Sequence, residues 1–361
     1  MKLAILGTRG IPNNHGGFEQ FAEYFSIYLS QRDVDVFVYN SHHHPYRDKT
    51  YKNVNIIHCF DPEKNIGSIG QFIYDLNCIL DSRGRNFDII LQLGYTSSTI
   101  WHWLISKKSL VVTNMDGLEW KRTKYSRLTS KFLKFAEKLA VKHSDFLISD
   151  SIGIKKYLKF KYNVESKYIA YGTEIFNAPE KNIIKKYNVE AYNYSLIIAR
   201  LEPENSIEVI LDGYYKSKTT SPILIFGKIN LFGRRLIKKY KDDSRIKFLG
   251  ANYCISELNN LRYYSRYYFH GHTVGGTNPS LLEAMSSKAL IVAHKNIFNI
   301  SVLGEGGLYF ETSNDITIIV NEDNYFRLKD INWDINKLKI KNNFTWEIIN
   351  NAYEHYLKSI L

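Results

Sequence analysis

The chain has 361 residues, 44% of them hydrophobic and 14% aromatic; it is too long for one ordinary core and too apolar for extended disorder. Its formal net charge of +12 leaves three partner classes to weigh: phosphate-bearing substrates, an anionic membrane surface and nucleic acid. No apolar run reaches the roughly 18 residues of a membrane span, and Met1-Lys2-Leu3-Ala4-Ile5-Leu6-Gly7 reads as a strand rather than a secretion signal, so a cytoplasmic protein is expected.

In chain order, residues 2–6 form a hydrophobic strand, 16–29 a helix that opens on glycines, and 34–39 a second strand. Further strands are expected at 54–59, 88–93, 110–113 and 145–149, with helical patterns between several of them. Residues 121–142 are a basic amphipathic helix: Leu128, Phe132, Phe135 and Leu139 recur at helical spacing while lysines take other positions. Its narrow apolar stripe suits core packing, and its lysines are placed to touch anionic headgroups, at about 1 kcal/mol each. The polar stretch 177–194 is the expected linker. The pattern then restarts with strands at 195–199, 223–227, 246–250, 267–270, 290–293 and 307–310. The alternation predicts two β/α domains with parallel sheets, 1–180 and 181–340. Cys59, Cys78 and Cys254 show no metal-site or CxxC spacing and are expected to be reduced core residues, with no structural metal.

In parallel sheets ligands bind beyond the carboxyl ends of strands. The loop after the first strand, Gly7-Thr8-Arg9-Gly10-Ile11-Pro12-Asn13-Asn14-His15-Gly16-Gly17-Phe18-Glu19, matches neither GxGxxG nor a Walker loop, which argues against a dehydrogenase or an ATPase. Arg9 can meet a phosphate or carboxylate or form a surface ion pair, and His15 can orient a hydroxyl or be solvated. Asp116 and Glu119 follow a predicted strand and either bind a substrate or cap and charge a helix start. In the second half, Arg200 follows the domain's first strand in Ala199-Arg200-Leu201-Glu202-Pro203-Glu204-Asn205, where its planar fork can bridge diphosphate oxygens or pair with a carboxylate.

The most informative segment is His270-Gly271-His272-Thr273-Val274-Gly275-Gly276-Thr277-Asn278-Pro279-Ser280-Leu281-Leu282-Glu283-Ala284-Met285. A glycine turn directly before a helix start is an anion site, because the first free N–H groups of the helix point back at the loop. Gly275, Gly276, Thr277 and Asn278 form that turn. Glu283 sits where a carboxylate can hold a ribose diol, or simply complement the helix dipole. His270 and His272 can contact a transferred sugar, one of them doubling as a packed strand-end residue. Nucleic acid is disfavoured, since no helix-turn-helix, zinc-ligand or RNP-like pattern is present.

Taken together, the glycine loop 7–19, the segment 199–205, the block 270–285, Asn114-Met115-Asp116-Gly117-Leu118-Glu119-Trp120 and residues 137–151 resemble bacterial glycosyltransferase family 4. The resemblance is narrower to its rhamnosyltransferase-like subgroup, whose N-terminal domain is the type known as domain of unknown function 1972. It implies an α/β GT-B fold, two Rossmann-like domains facing each other across a cleft, with a C-terminal helix of about 341–361 returning to the first domain. It implies a retaining, metal-independent hexosyltransferase that uses a nucleoside-diphosphate sugar and no cofactor. Arg200 would bind the diphosphate, Gly276 and Thr277 would donate N–H groups to it, Glu283 would hold the ribose, and Gly16 and Gly17 would close on the phosphates. Arg200, Glu283 and Asp116 are the expected catalytic residues, with Arg9, His15, Glu119, His270 and His272 on the substrates.

Two positions depart from the family pattern. The first acid of the usual Glu-x7-Glu pair is Gly275, and the basic residue often found five after the arginine is Asn205. Both are read as altered donor recognition. The resemblance implies a hexose or deoxyhexose donor, first of all rhamnose on deoxythymidine diphosphate, with uridine-diphosphate hexoses as the open alternative. The expected acceptor is a lipid-linked saccharide of capsule or O-antigen assembly, met at the inner face of the cytoplasmic membrane through the 121–142 helix. A non-catalytic nucleotide-sugar-binding subunit and a GT-B-type nucleotide-sugar epimerase are the alternatives.

Overall fold

The computed structural model describes residues 1–14, 16–122, 125–322 and 325–361. The chain divides into two units: one holds Met1–Lys121, Tyr125–Tyr171 and Trp346–Leu361, the other Gly172–Thr345 with Arg122.

The first unit runs β1 (Lys2–Leu6), α1 (Gly17–Ser30), β2 (Asp35–Ser41), β3 (Thr50–Tyr51), β4 (Val54–Cys59), α2 (Glu63–Ile66), α3 (Ile69–Ser82), β5 (Ile89–Leu93), β6 (Leu110–Asn114), α4 (Arg127–His143), β7 (Phe146–Ser149), α5 (Ile152–Tyr162) and β8 (Lys167–Tyr168). Its sheet has the order β3-β4-β2-β1-β5-β6-β7-β8. Every pairing is parallel except β3 with β4. Helices cover both faces of a parallel sheet, so its central strands are apolar throughout, and β5, Ile-Ile-Leu-Gln-Leu, is buried at every position. Gly7 ends β1 with φ +86°, and a Cβ there would lie 2.3 Å from the Leu93 carbonyl oxygen. Only glycine lets the chain turn away so close to the neighbouring strand.

The second unit runs β9 (Ser195–Ile198), α6 (Ile207–Lys216), β10 (Ile223–Phe226), α7 (Leu231–Lys239), β11 (Ile246–Gly250), α8 (Ile255–Tyr264), β12 (Tyr267–His270), α9 (Pro279–Ser286), β13 (Ile291–His294), α10 (Ile297–Leu303), β14 (Leu308–Phe310), α11 (Ser313–Asn321) and α12 (Tyr325–Lys339). The sheet order is β11-β10-β9-β12-β13-β14, all parallel. Ile197, Ile210, Leu211, Ile223, Ile225, Phe269, Val292 and Ile316 form one buried cluster between sheet and helices. A final helix, α13 (Trp346–Ser359), belongs to the first unit. Its buried Trp346, Ile349, Tyr353 and Leu357 recur every three or four residues, as an amphipathic helix requires. Tyr353 packs on Phe21 and Phe25 of α1, with ring centroids 4.6 and 5.2 Å apart. Trp346 stacks on Tyr24 at 4.4 Å.

The structure changes three details of the sequence reading. The basic helix, expected over 121–142, is α4; Thr123 and Lys124 of that expectation lie outside the described residues. Its buried face is Leu133, Ala136, Glu137 and Ala140, whereas Leu128 and Phe135 are 79% and 54% exposed, so only part of the expected stripe packs inward. The cause is Glu137, which accepts hydrogen bonds from the Tyr162 and Tyr157 hydroxyls (2.6 and 2.7 Å), Lys161 Nζ (2.8 Å) and Trp120 Nε1 (3.0 Å). A carboxylate with that many donors is stable in the interior, and it draws its face of the helix in with it. The second detail is Cys254, which is exposed, unlike Cys59 and Cys78. The third is a pair of two-residue strands, β3 and β8, too short to leave a pattern.

Lys329 on α12 is 5% exposed and donates from Nζ to the Tyr263 carbonyl at 2.6 Å. The ammonium lies over the rings of Tyr192, Tyr263 and Tyr325, 4.5 to 5.5 Å from their centroids. Burial, with nearby Lys288, pushes its pKa down to about 7 from 10.5, against the opposing pull of Asp330. Between those values the unfolded chain binds a proton that the native chain releases, so the stability tied to this group is complete above 10.5 and is lost as pH falls towards 7. Lys329→Met is therefore expected to raise the melting temperature most at pH 6–7, with the advantage shrinking steadily towards pH 10. Melting curves of both proteins across that range check it, and a pH-independent difference would contradict the assignment.

Candidate functional site

The site in the second unit lies where its strand order reverses. From β9 the chain passes through α6 to β10 on one side, and from β12 through α9 to β13 on the other. The connections from β9 and β12 therefore run in opposite directions along the sheet, the arrangement in which ligands bind beyond the carboxyl ends of two adjacent strands.

Gly271 lets those loops meet. A Cβ on residue 271 would sit 2.1 Å from the Asn205 carbonyl oxygen, far inside contact distance. Thr273 then fastens the loops, its N–H and Oγ1 both donating to the Glu204 carbonyl at 2.9 and 2.8 Å. Asn205 is buried, and its Nδ2 donates to the Arg200 carbonyl at 2.7 Å. The residue standing where a basic side chain was expected thus shapes the backbone that carries Arg200. Arg200 itself is exposed, and among the described residues its guanidinium has no hydrogen-bond or ion-pair partner.

The loop from β12 leads into α9. Asn278 is its N-cap, the side-chain oxygen accepting from Ser280 N–H at 2.9 Å, and Pro279 fills the first helical position, where no N–H is missed. Gly275 has φ +143° with open space around its Cβ position, so it is needed for its torsion rather than for a close approach. Gly276 is partly exposed beside it, and Thr277 is buried. One helical turn on, Glu283 Oε2 accepts from Arg262 Nη2 at 2.5 Å. The Arg262 side chain is 1% exposed and that of Glu283 15%.

His270 and His272 stack, with centroids 4.3 Å apart and planes at 17°. Burial, then the neighbouring His272, holds His270 well below the usual imidazole range, and burial with Arg200 pushes His272 down to about 3. Both rings are therefore neutral at physiological pH, each offering one donor and one acceptor rather than a charge. The His272 carbonyl accepts from Asn296 and Asn299 Nδ2 at 2.9 and 3.0 Å, which anchors the loop to α10. Arg200, Gly275, Gly276, Thr277, Asn278, Glu283, His270 and His272 thus share the β9/β12 end of one sheet.

The remaining predicted residues lie in the first unit. Gly16 is the N-cap of α1 and Gly17 its first residue. Glu19 in the first turn is buried and accepts from Arg9 N–H at 2.7 Å. The Arg9 guanidinium is paired with Glu63 at 2.6 Å. Asp116 and Glu119 are half-buried on the loop after β6. Buried Tyr171 is held well above the usual phenol range by desolvation first, then by the charges of Asp116 and Asp150, with Tyr353 and Glu19 adding to the shift. His15 lies outside the described residues.

Sequence reasoning missed Asp150 and Arg262. Asp150 directly follows β7, a position the strand-end rule would have flagged. Arg262 carries no local signal, since its partner is 21 residues away. Among the described residues no group of three or more His, Cys, Asp or Glu is placed to hold a metal ion, and no helix is long and apolar enough to cross a membrane.

Comparison with known proteins follows the fold. Residues 1–174 match the family model described as "Domain of unknown function (DUF1972)", and no curated protein sequence matches the chain. Among solved structures, the chain is similar to a sucrose-phosphate synthase from Thermosynechococcus elongatus (14% identity, 99% of this chain and 98% of that one, TM-score 0.77). It is similar to HepE of Anabaena in complex with UDP-glucose (15% identity, 99% of both chains, TM-score 0.77). A glycosyltransferase from Rickettsia africae ESF-5 is a third (15% identity, 99% and 98% covered, TM-score 0.71). The chain has the α/β GT-B fold of these structures, built on two sheets of mostly parallel strands.

The two glycines of the β12 loop are expected to respond differently to alanine. Gly271→Ala forces a Cβ into a backbone carbonyl and is expected to destabilise the chain by about 1–3 kcal/mol, through overpacking. Gly275→Ala meets only torsional strain, about 1 kcal/mol, the low end of the cost of a side chain at such a φ in a loop with open space around it. Denaturant titration of the two variants checks the order.

Proposed function

We propose that the protein is a retaining glycosyltransferase of the family 4, rhamnosyltransferase-like kind. It moves a hexose or deoxyhexose, rhamnose as the first candidate, from a nucleoside-diphosphate sugar to a lipid-linked saccharide in surface-polysaccharide assembly. The observation that carries this reading is an exposed guanidinium with no hydrogen-bond or ion-pair partner among the described residues, Arg200, on one loop of the β9/β12 crevice, with the capped N-terminus of α9 on the other. A diphosphate leaving group has use for both. As the glycosidic bond breaks, negative charge grows on its terminal phosphate, and a fixed guanidinium and aligned N–H groups stabilise that charge more than they stabilise the ground state. Similarity of fold to HepE, whose structure holds UDP-glucose, supports a nucleotide-sugar donor.

In this reading Arg200 and the Gly276 and Thr277 N–H groups hold the diphosphate, and Glu283 holds the ribose. His270 and His272, both neutral, hydrogen-bond hydroxyls of the transferred sugar. The acceptor hydroxyl attacks the anomeric carbon from the face the phosphate leaves. The C–O bond to the acceptor forms as the bond to phosphate breaks, and a phosphate oxygen takes the hydroxyl proton. Charge neutralisation is assigned to Arg200 and the helix dipole, with no metal required. Gly16, Gly17 and Arg9, with Asp116 and Glu119, are assigned to phosphate closure and acceptor binding in the first unit. Exposed Leu128 and Phe135 on α4, among exposed Lys131, Lys134, Lys138 and Lys142, suit the surface of an anionic membrane where a lipid-linked acceptor resides.

Thermal melts with a panel of nucleotide sugars, in the presence of EDTA, are expected to show stabilisation by one donor. Arg200→Ala and Glu283→Ala should each abolish it, and Arg200→Ala should cut kcat/KM about a hundredfold, the usual cost of losing a charge-stabilising donor. Stabilisation that survives both substitutions would contradict the site, and donor binding without transfer to any acceptor would point to a binding subunit. For the membrane contact, Leu128→Ser with Phe135→Ser is expected to reduce pelleting with phosphatidylglycerol vesicles while leaving donor binding intact; unchanged pelleting would remove α4 from the account.

A further inference from the structure

We infer that Trp120 and the lysines around it, Lys121, Lys134 and Lys161, form an anion subsite on the first unit that takes the diphosphate of a lipid-linked acceptor. The site is built from residues that the donor account does not use; the lipid rests on the acceptor reading above.

Three ammonium groups share one indole. Nζ of Lys134, Lys161 and Lys121 lies 4.3, 5.4 and 5.5 Å from the centroid of the Trp120 ring. They come from three parts of the chain: Lys134 from α4, Lys161 from α5 and Lys121 from the turn Glu119–Lys121. The ring is fixed among them, because its Nε1 donates to Glu137 Oε2 at 3.0 Å and the Glu137 side chain is 1% exposed. Glu137 also supplies the counter-charge of one lysine, its Oε1 accepting from Lys161 Nζ at 2.8 Å beside the Tyr157 and Tyr162 hydroxyls. The other two lysines are exposed, and neither ammonium has a hydrogen-bond or ion-pair partner among the described residues. At such exposed positions an indole face returns little to a cation. Like charges gathered on one ring repel each other well inside the screening length of physiological salt, so a bound anion stabilises the arrangement. Lysines bind phosphate as point charges, and two of them without counter-charge match a diphosphate better than the single charge of a phosphodiester.

Adjoining residues match the rest of such a ligand. Lys121 shares its turn with Glu119, assigned above to the acceptor. Lys134 is followed by Phe135, 54% exposed and assigned to the membrane surface. The carbohydrate, diphosphate and hydrocarbon of one acceptor thus each have a chemically fitting group within α4 and this turn.

The test is calorimetric titration of the full chain with farnesyl diphosphate and with inorganic pyrophosphate, both in an Arg200→Ala background that takes the diphosphate contact out of the donor site. Farnesyl diphosphate is expected to bind, and Lys121→Ala with Lys134→Ala to weaken it about tenfold or more. Lys155→Ala with Lys156→Ala, an exposed pair on α5, should change it less than about threefold, as screened charges outside the cluster do. Equal loss with both pairs would reduce the site to overall charge and overturn the inference, as would binding that neither pair alters or no binding of either diphosphate. Pelleting with phosphatidylglycerol vesicles separates the other source of lipid phosphate. If Lys121→Ala with Lys134→Ala lowers pelleting but leaves farnesyl diphosphate binding untouched, the cluster serves bulk headgroups and the inference fails. Pyrophosphate held through the two lysines, with farnesyl diphosphate unbound, would support the anion subsite and overturn the lipid-linked acceptor instead.

Discussion

The carbonyl oxygen of Asn205 occupies the place where a side chain on residue 271 would begin, 2.1 Å from a Cβ built there. The rest of the candidate site depends on that closeness. With glycine at 271, the loops from β9 and β12 join through Thr273 and the Glu204 carbonyl. Joined, they carry the Arg200 guanidinium and the start of α9 out of the same end of the sheet. Asn205 serves this geometry twice, its carbonyl as the contact surface for Gly271 and its amide as the brace of Arg200. A longer basic side chain at 205 would have had to leave the loop to reach a ligand. The charge absent at this position is thus matched by a gain in rigidity beneath the charge that remains.

Buried polar groups organise both units, and in each case the number of partners decides what the group does. Glu137 has enough donors to be a fixed interior element, and it turns the inward face of α4 away from the one that leucine and phenylalanine spacing favours. Arg262, its side chain 1% exposed, has a carboxylate partner in Glu283 that neutralises it inside the packing of α8 against α9. Lys329, under three tyrosine rings and one carbonyl, carries a cation that is costly to desolvate, and its cost varies with pH. Such groups specify the packing around them more narrowly than apolar contacts alone would do.

The legible part of the fold was its strands and its glycine loops. Parallel strands buried on both faces need continuous apolar runs, and Ser-Leu-Ile-Ile, Ile-Leu-Ile-Phe and Ile-Ile-Leu-Gln-Leu supply them, bounded by glycines that the turns require. Arg200 and the 275–278 turn were legible for the same reason, as strand-end residues. The side chains that decide their surroundings were less so. The partnership of Arg262 with Glu283 exists only once α8 and α9 are packed, and the role of Asn205 only once two loops far apart in sequence have closed. Periodicity weights leucine and phenylalanine above alanine and glutamate, so on α4 it selected residues 128 and 135 over 136 and 137, whose burial depends on hydrogen-bond donors from other elements.

The central claim is that a nucleoside diphosphate sits in the β9/β12 crevice of the second unit. A crystal structure of the chain with UDP tests it most directly. The account predicts pyrophosphate oxygens within hydrogen-bond distance of the Arg200 guanidinium and of the N–H groups leading into Pro279–Ser286, with the ribose against Glu283. Density for the nucleotide at another strand end, with Arg200 still facing solvent, would contradict it.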